Sequence, residues 1–215
     1  QFDNDVFLLR NLNLFFEVEG SVETTDSVSY NLTFKIREAN YLYPIISISG
    51  FQDQLKLQLG ANHINFLGRA QSFGVQYQFY DRHSISIFHT AKRHSNQKTG
   101  HELAIAKYST IEPLYFTDTT GQDTVSDFNF DNYSVSVGGH YWLGRYTNAG
   151  LGAAYMYEDY LQRDDAFDFF GTKRFNFHKH QLRAHIETNR VEHLFERQEG
   201  WKARVYSEWI KTYSD

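Results

Sequence analysis

Ten histidines are the side chains of this sequence best suited to chemistry, and three groupings stand out: His178-Lys179-His180, His89 with His94, and His185 with His193. His178 and His180 are two apart, so on a strand their imidazoles share a face, as a metal site would need. No third ligand follows at a ligand-like spacing, and no metal or cofactor is expected. Asp81, His83, Ser84, His140 and His185 are the residue types of Ser/His and Asp/His hydrolases. Types alone make no base, which must lie within hydrogen-bond reach of the group it deprotonates, so no catalytic residue is assigned. Arg69 and Arg82, each beside a turn, are candidates for contacts to lipid phosphates, and Lys92-Arg93-His94 is the densest basic spot; the competing reading for all of these is a solvated turn.

These side chains sit on segments that alternate at period two. In Ser72–Tyr80, Phe73, Val75, Tyr77 and Phe79 fall on one face, while Ser72, Gly74, Gln76 and Gln78 fall on the other. Gln54–Asn62 sets Leu55, Leu57, Leu59 and Ala61 against Lys56, Gln58, Gly60 and Asn62. Asn132–Trp142 sets Tyr133, Val135, Val137 and Tyr141 against Asn132, Ser134, Ser136 and His140. Gly150–Tyr157 and Gln181–Glu187 repeat the pattern, the latter with Arg183 and Glu187 on its polar side. Pro44–Phe51, Ser84–Phe88, Glu102–Tyr108 and Trp201–Trp209 are strand-prone, giving about eight or nine antiparallel strands.

Such a pattern fits a transmembrane β-barrel, which masks its apolar signal by interleaving lipid-facing with lumen-facing residues. Leu55, Leu57, Leu59, Phe73, Val75, Tyr77, Phe79, Tyr133, Val135 and Val137 would face lipid. Lys56, Gln58, Gln76, Gln78, Arg183 and Glu187 would face the lumen, the charged ones pairing with each other or with water. Mean hydropathy is -0.56 despite 17% aromatic residues. No run approaches the roughly 18 apolar residues of a membrane-spanning helix. A net charge of -5 argues against a nucleic-acid partner. The absence of Cys leaves the redox compartment open, and Gln1 is compatible with a cleaved secretion signal.

Short turns at Leu67-Gly68-Arg69 and Tyr80-Asp81-Arg82, against long polar segments Thr117–Asp131 and Gln162–Lys179, suggest a barrel with tight turns on one side and long loops on the other. Tyr80, Tyr141, Trp142, Tyr157, Tyr160, Trp201 and Trp209 are placed for interfacial girdles. The alternative is a soluble sandwich or lipocalin-like barrel with its apolar faces inward. Against it stand the small, Gly/Ser/Gln-rich opposite faces and the sparse Pro/Gly punctuation.

Residues 1–43 read differently. Val6, Leu9, Leu12, Asn13 and Phe16 form a short helical stripe within Asp3–Phe16, followed by Glu17–Val22 and the alternating strand Ser29–Glu38: a helix, a hairpin and then the barrel over residues 44–215. The run Leu9-Arg10-Asn11-Leu12-Asn13-Leu14-Phe15, then Val28–Glu38, then Tyr43-Pro44-Ile45 resembles the end of a polypeptide-transport-associated domain feeding a first barrel strand. Leu59–Tyr80, with Asn65-Phe66-Leu67-Gly68-Arg69-Ala70-Gln71-Ser72, resembles the early strands of the outer membrane protein 85 superfamily, the BamA/TamA-like surface-antigen barrels. The resemblance covers residues 9–90. It implies the bacterial outer membrane, lipid contact, and a role in inserting or transporting client outer-membrane proteins or in moving lipid, through a weak seam between first and last strands. The family's Val-Arg-Gly-Tyr/Phe motif and its terminal aromatic residue are absent from this sequence. A partial or processed chain, a short member whose two copies form a homodimer, and a small self-closing barrel all remain open. So do two other functions, an outer-membrane lipid-modifying enzyme and a passive structural barrel.

Overall fold

The computed structural model describes residues 2–10, 14–25, 29–50, 55–94, 98–117, 123–163, 173–194 and 197–214. Helix α1 (Phe2–Arg10) packs on the antiparallel hairpin of β1 (Phe15–Thr24) and β2 (Tyr30–Glu38). Val6, Leu14 and Val18 are buried, and the Phe2 and Phe34 rings lie 5.2 Å apart. Gly20 permits the close approach of helix to hairpin, since an added Cβ would meet Phe2 and Val6 at 2.6 Å. The described helix runs to Arg10, and Phe16, the expected end of the helical stripe, lies on β1. Phe15 already pairs with Glu38, and the Arg37 guanidinium covers the Phe16 ring at 4.1 Å. Leu12 and Asn13 of the expected stripe lie outside the described residues.

The remaining long strands form one antiparallel meander: β3 (Leu42–Ser49), β4 (Lys56–Phe66), β5 (Gln71–Tyr80), β6 (Arg82–Ala91), β7 (Thr99–Thr117), β8 (Asp123–Trp142), β9 (Thr147–Gln162), β10 (Arg174–Asn189) and β13 (Lys202–Ser214). A small hairpin, β11 (Glu192–Leu194) with β12 (Arg197–Glu199), interrupts the last connection. The nine expected strand segments each fall on one of these nine strands. Closure differs from the expectation: the described strands form an open sheet, with β3 and β13 at its edges.

Consecutive antiparallel connections lie at opposite ends of a meander, which defines two rims. The proximal rim, where the chain enters β3, carries connectors 67–70, 92–98, 143–146 and 190–201; the distal rim carries 50–55, Asp81, 118–122 and 163–173. The two tight turns at Leu67–Arg69 and Asp81 therefore sit at opposite rims and do not mark one side, contrary to the expected division. The expected loops are also shorter than read. Asp123–Asp131 belongs to β8 and Arg174–Lys179 to β10, while 118–122 and 164–172 lie outside the described residues. Strands β3–β6 run 8 to 11 residues and β7–β10 run 16 to 20, so the second half projects beyond the first at the distal rim.

Candidate functional site

The register sorts the sheet into two chemically distinct faces. One cross-strand row runs from Leu42 on β3 through His63, Phe73, His89, Leu103, Val137, Ala153 and Leu182 to Trp209 on β13. Leu57, Leu59, Val75, Tyr77, Phe79, Tyr133 and Val135 share that apolar face, and Leu55 precedes β4. Much of it is exposed in the isolated chain, with Ile46 at 70% and Leu151 at 73%. Soluble monomers rarely present a contiguous apolar patch beyond a few hundred Å2, and this one crosses nine strands.

The opposite face carries Lys56, Gln58, Gln76, Gln78, Arg183 and Glu187. Arg183 and Glu187 do not pair with each other, as the sequence reading allowed. Glu187 meets Lys202 at 3.2 Å, and Arg183 reaches Glu102 at 3.1 Å. That second pair spans a register row, Glu102–Gly138–Gly152–Arg183, about 14 Å across three inter-strand spacings. Two glycines leave the path clear: a Cβ on Gly152 would lie 2.5 Å from Arg183 Nε, and one on Gly138 would lie 3.4 Å from Nη2. The next row, Gly100–His140–Gly150–His185, works likewise, each imidazole lying over the glycine beside it.

Along β8, β9 and β10 the two faces exchange character toward the distal rim. On β8 the face that carries Val137, Val135 and Tyr133 continues as Asp131, Asn129 and Asp127, while the polar face of Ser136, Ser134 and Asn132 continues as Phe130 and Phe128. On β9 Tyr155 and Tyr157 give way to Asp159, and on β10 Lys179 gives way to Phe177 and Phe175. The inward rings form a cluster: Phe130–Tyr160 at 4.7 Å, Tyr160–Phe175 stacked at 4.9 Å and Phe128–Phe175 at 5.4 Å. Phe128 is only 3% exposed. Burial there, helped by the carboxylates of Glu158 and Glu112, pushes the Tyr160 hydroxyl up to about 12. Ion pairs mark the crossover level: Asp131 with Arg82 at 2.8 Å and with Lys107 at 3.8 Å, Asp159 with Arg174 at 2.7 Å, and Glu158 with Lys179 at 2.7 Å.

The residues singled out for chemistry are dispersed. Ser84 Oγ is tied to the backbone of Ser109, and the neighbouring His83 accepts or donates at Tyr77 Oη, 2.6 Å away. His140 bonds the Lys92 carbonyl and His185 bonds Asn148, so none of them faces a serine as a base. His178 and His180 share the apolar face, with His178 on Tyr155 Oη at 2.6 Å, a pairing that mirrors Tyr77 with His83. His89 and His94 come together through His101, which bonds both at 2.9 and 3.0 Å, and His89 reaches on to Gln71. His101 escaped the sequence reading; the hairpin that sets it opposite Ala91 was the signal. Among the described residues no group of three or more His, Asp and Glu is arranged to hold a metal. The His193 side chain lies outside the described residues. Arg69 and Arg82 stand at opposite rims, Arg69 exposed and Arg82 committed to Asp131.

No family model and no curated protein matches the chain. Among solved structures the fold is similar to that of BamA from Haemophilus ducreyi lacking POTRA domains 1-3, with a TM-score of 0.51 and 14% identity. The match covers 95% of this chain and 41% of that one, so the chain spans under half the length of its structural neighbour. The likeness is one of fold: an antiparallel sheet of the kind found in the BamA barrel.

Proposed function

We propose that this chain forms part of a transmembrane β-barrel of the BamA-like type in the bacterial outer membrane, with α1 and its hairpin as the end of a polypeptide-transport-associated domain. The exchange of apolar and polar faces along β8–β10 carries the reading. Below the Asp131 level the oily side chains point away from the concavity a barrel would enclose; above it the rings of Phe128, Phe130, Tyr160 and Phe175 point inward, while Val125 and Leu161 stay on the outer face. A strand has reason to do both only if hydrocarbon surrounds its lower part and water its upper part. From Tyr133 to Tyr141 the apolar stretch is nine residues and measures about 26 Å along the strand, which at a tilt of about 40° rises about 20 Å, the span of the roughly 9–11 tilted residues of a transmembrane strand.

In this reading the polar face lines a lumen, and the free edges of β3 and β13 are covered, since unpaired backbone groups in lipid cost several kcal/mol each. Further strands of a longer barrel or a second copy of the chain would cover them. The role that follows is insertion or transport of outer-membrane proteins, or lipid movement, at that seam. Purified protein in vesicles is expected to speed the folding of a client barrel several-fold. Protein that inserts yet leaves client folding at its spontaneous rate refutes the insertion role and leaves a structural barrel.

A further inference from the structure

The apolar face is not flat near the proximal rim. A furrow of about 680 Å3 runs over β7, β8, β9, β10 and β13, within the roughly 300–1,000 Å3 of ligand sites. Two adjacent register rows create it: Tyr141, Ala149 and Ile186 in one, Gly139, Leu151 and Ala184 in the other. Small and large residues alternate, so Gly139, Ala149 and Ala184 leave a depression that Tyr141, Leu151 and Ile186 flank.

Cations resting on aromatic rings occupy the connectors that follow the rim end of this furrow. The Arg145 guanidinium lies 5.8 Å from the Tyr146 ring, and Arg190 lies 5.2 Å from Tyr146 and 5.7 Å from Trp201, whereas the Arg93–Trp142 pair, at 4.5 Å, belongs to the polar face beside His140. The connector 143–146 joins the two strands that hold Tyr141 and Ala149, and the Asn189 N–H donates to the Tyr146 carbonyl at 2.8 Å, which brings Arg190 to the same place. Charge follows the same geography. Connectors 67–70, 92–98 and 143–146 contain Arg69, Lys92, Arg93, Lys98 and Arg145 with no Asp or Glu, whereas the one-residue distal connector is Asp81. The fourth proximal connector, 190–201, which holds Arg190, is mixed, with Glu192, Glu196 and Glu199 in sequence beside Arg190 and Arg197.

We infer that the furrow and its collar form a seat for one anionic membrane phospholipid, the acyl chain lying in the furrow and the phosphate on Arg145 and Arg190. Guanidinium forks match phosphate oxygens, and a ring beneath each fork fixes its plane before the lipid arrives. Trp and Tyr belong at the headgroup level, where basic side chains draw anionic lipid. The seat rests on the membrane reading above, and the test keeps the two apart.

The chain would be inserted into phosphatidylcholine vesicles containing a minor fraction of phosphatidylglycerol brominated on its acyl chains, and tryptophan quenching compared with the same fraction of brominated phosphatidylcholine. The expected result is a clear excess of quenching by the anionic lipid, with local enrichment of about five-fold per arginine. Arg145→Gln with Arg190→Gln removes the excess, and Ala149→Phe, which fills the furrow and leaves the collar intact, lowers it. Equal quenching by the two lipids, or an excess that survives in both variants, overturns the seat while leaving the membrane reading standing. Crosslinks between two copies through Leu151 overturn it as well, by making the furrow an interface between copies. Quenching by neither lipid overturns the membrane reading and the seat with it.

Discussion

The lower and upper parts of β8–β10 are built from the same strands, yet they solve opposite problems. Below the Asp131–Asp159 level, apolar side chains such as Leu151 are exposed on one face, and the other face is lined by glycine, serine and ion pairs such as Arg183–Glu102. Above it, Phe128, Phe130, Tyr160 and Phe175 close into a cluster on that second face, and Asp159 holds Arg174 in the open. The backbone ladder does not change; β8 and β9 stay paired without a register shift from Phe128 to Trp142. What differs is the surrounding solvent that the side chains imply. Short strands β3–β6 stop where the apolar band stops, and only the long strands continue into the second regime.

The comparison is broken most severely by emptying the upper cluster. Phe130→Ala is expected to cost about 3–5 kcal/mol, as other buried aromatic truncations do. The loss should fall on the projecting ribbon alone, so limited proteolysis would cut above Asp131 while the strands below that level stay protected. Next comes a charge placed on the lower apolar face: Val135→Arg should destabilise by about 2–4 kcal/mol in denaturant unfolding from vesicles, whereas Asn129→Arg, six residues up the same face, should change little. Equal costs at the two positions would erase the distinction.

Inside the lower part, Gly152→Val brings carbon within 2.5 Å of Arg183 Nε and should cost about 1–3 kcal/mol by overpacking. Combining it with Arg183→Ala should recover part of that loss in a double-mutant cycle, because the displaced side chain is then gone. Simple additivity would mean that the glycine trough does not serve the ion pair.

A pH titration sharpens the upper part. Tyr160 is raised from an ordinary 10.0 to about 12, so the unfolded ribbon gives up that proton first. The contribution of the neutral hydroxyl is therefore whole below pH 10 and is lost as pH climbs toward 12. Protease protection of the ribbon should fall across that window, and Tyr160→Phe should remove this component. The smallest effect is expected from Arg174→Gln, which opens an exposed pair and should leave the unfolding midpoint unmoved within error.

The nine strands were legible in the sequence because a sheet with one apolar and one polar face enforces strict alternation, as in Phe73, Val75, Tyr77 and Phe79. The same rule hid the distal ends of β8 and β10. At Asp131 and Phe130 the apolar residues move to the other face, so a reading that follows one phase finds polar disorder and ends the strand at Asn132 or Gln181. Arg183–Glu102 was illegible for another reason: its partners are separated by two strands, and only the register discloses that Gly138 and Gly152 lie between them. The His89–His101–His94 chain needed the hairpin register in the same way.

The exchange of faces can be read directly, because the chain contains no cysteine of its own. Single cysteines along residues 125–141 of β8, spin-labelled in vesicles, would be probed with a lipid-soluble and a water-soluble relaxer. Positions 133, 135 and 137 should answer to the lipid-soluble relaxer, positions 127 and 129 to the aqueous one, and positions 128 and 130 weakly to both. Accessibility that keeps one phase through position 131, or aqueous exposure at 133, 135 and 137, would contradict the account.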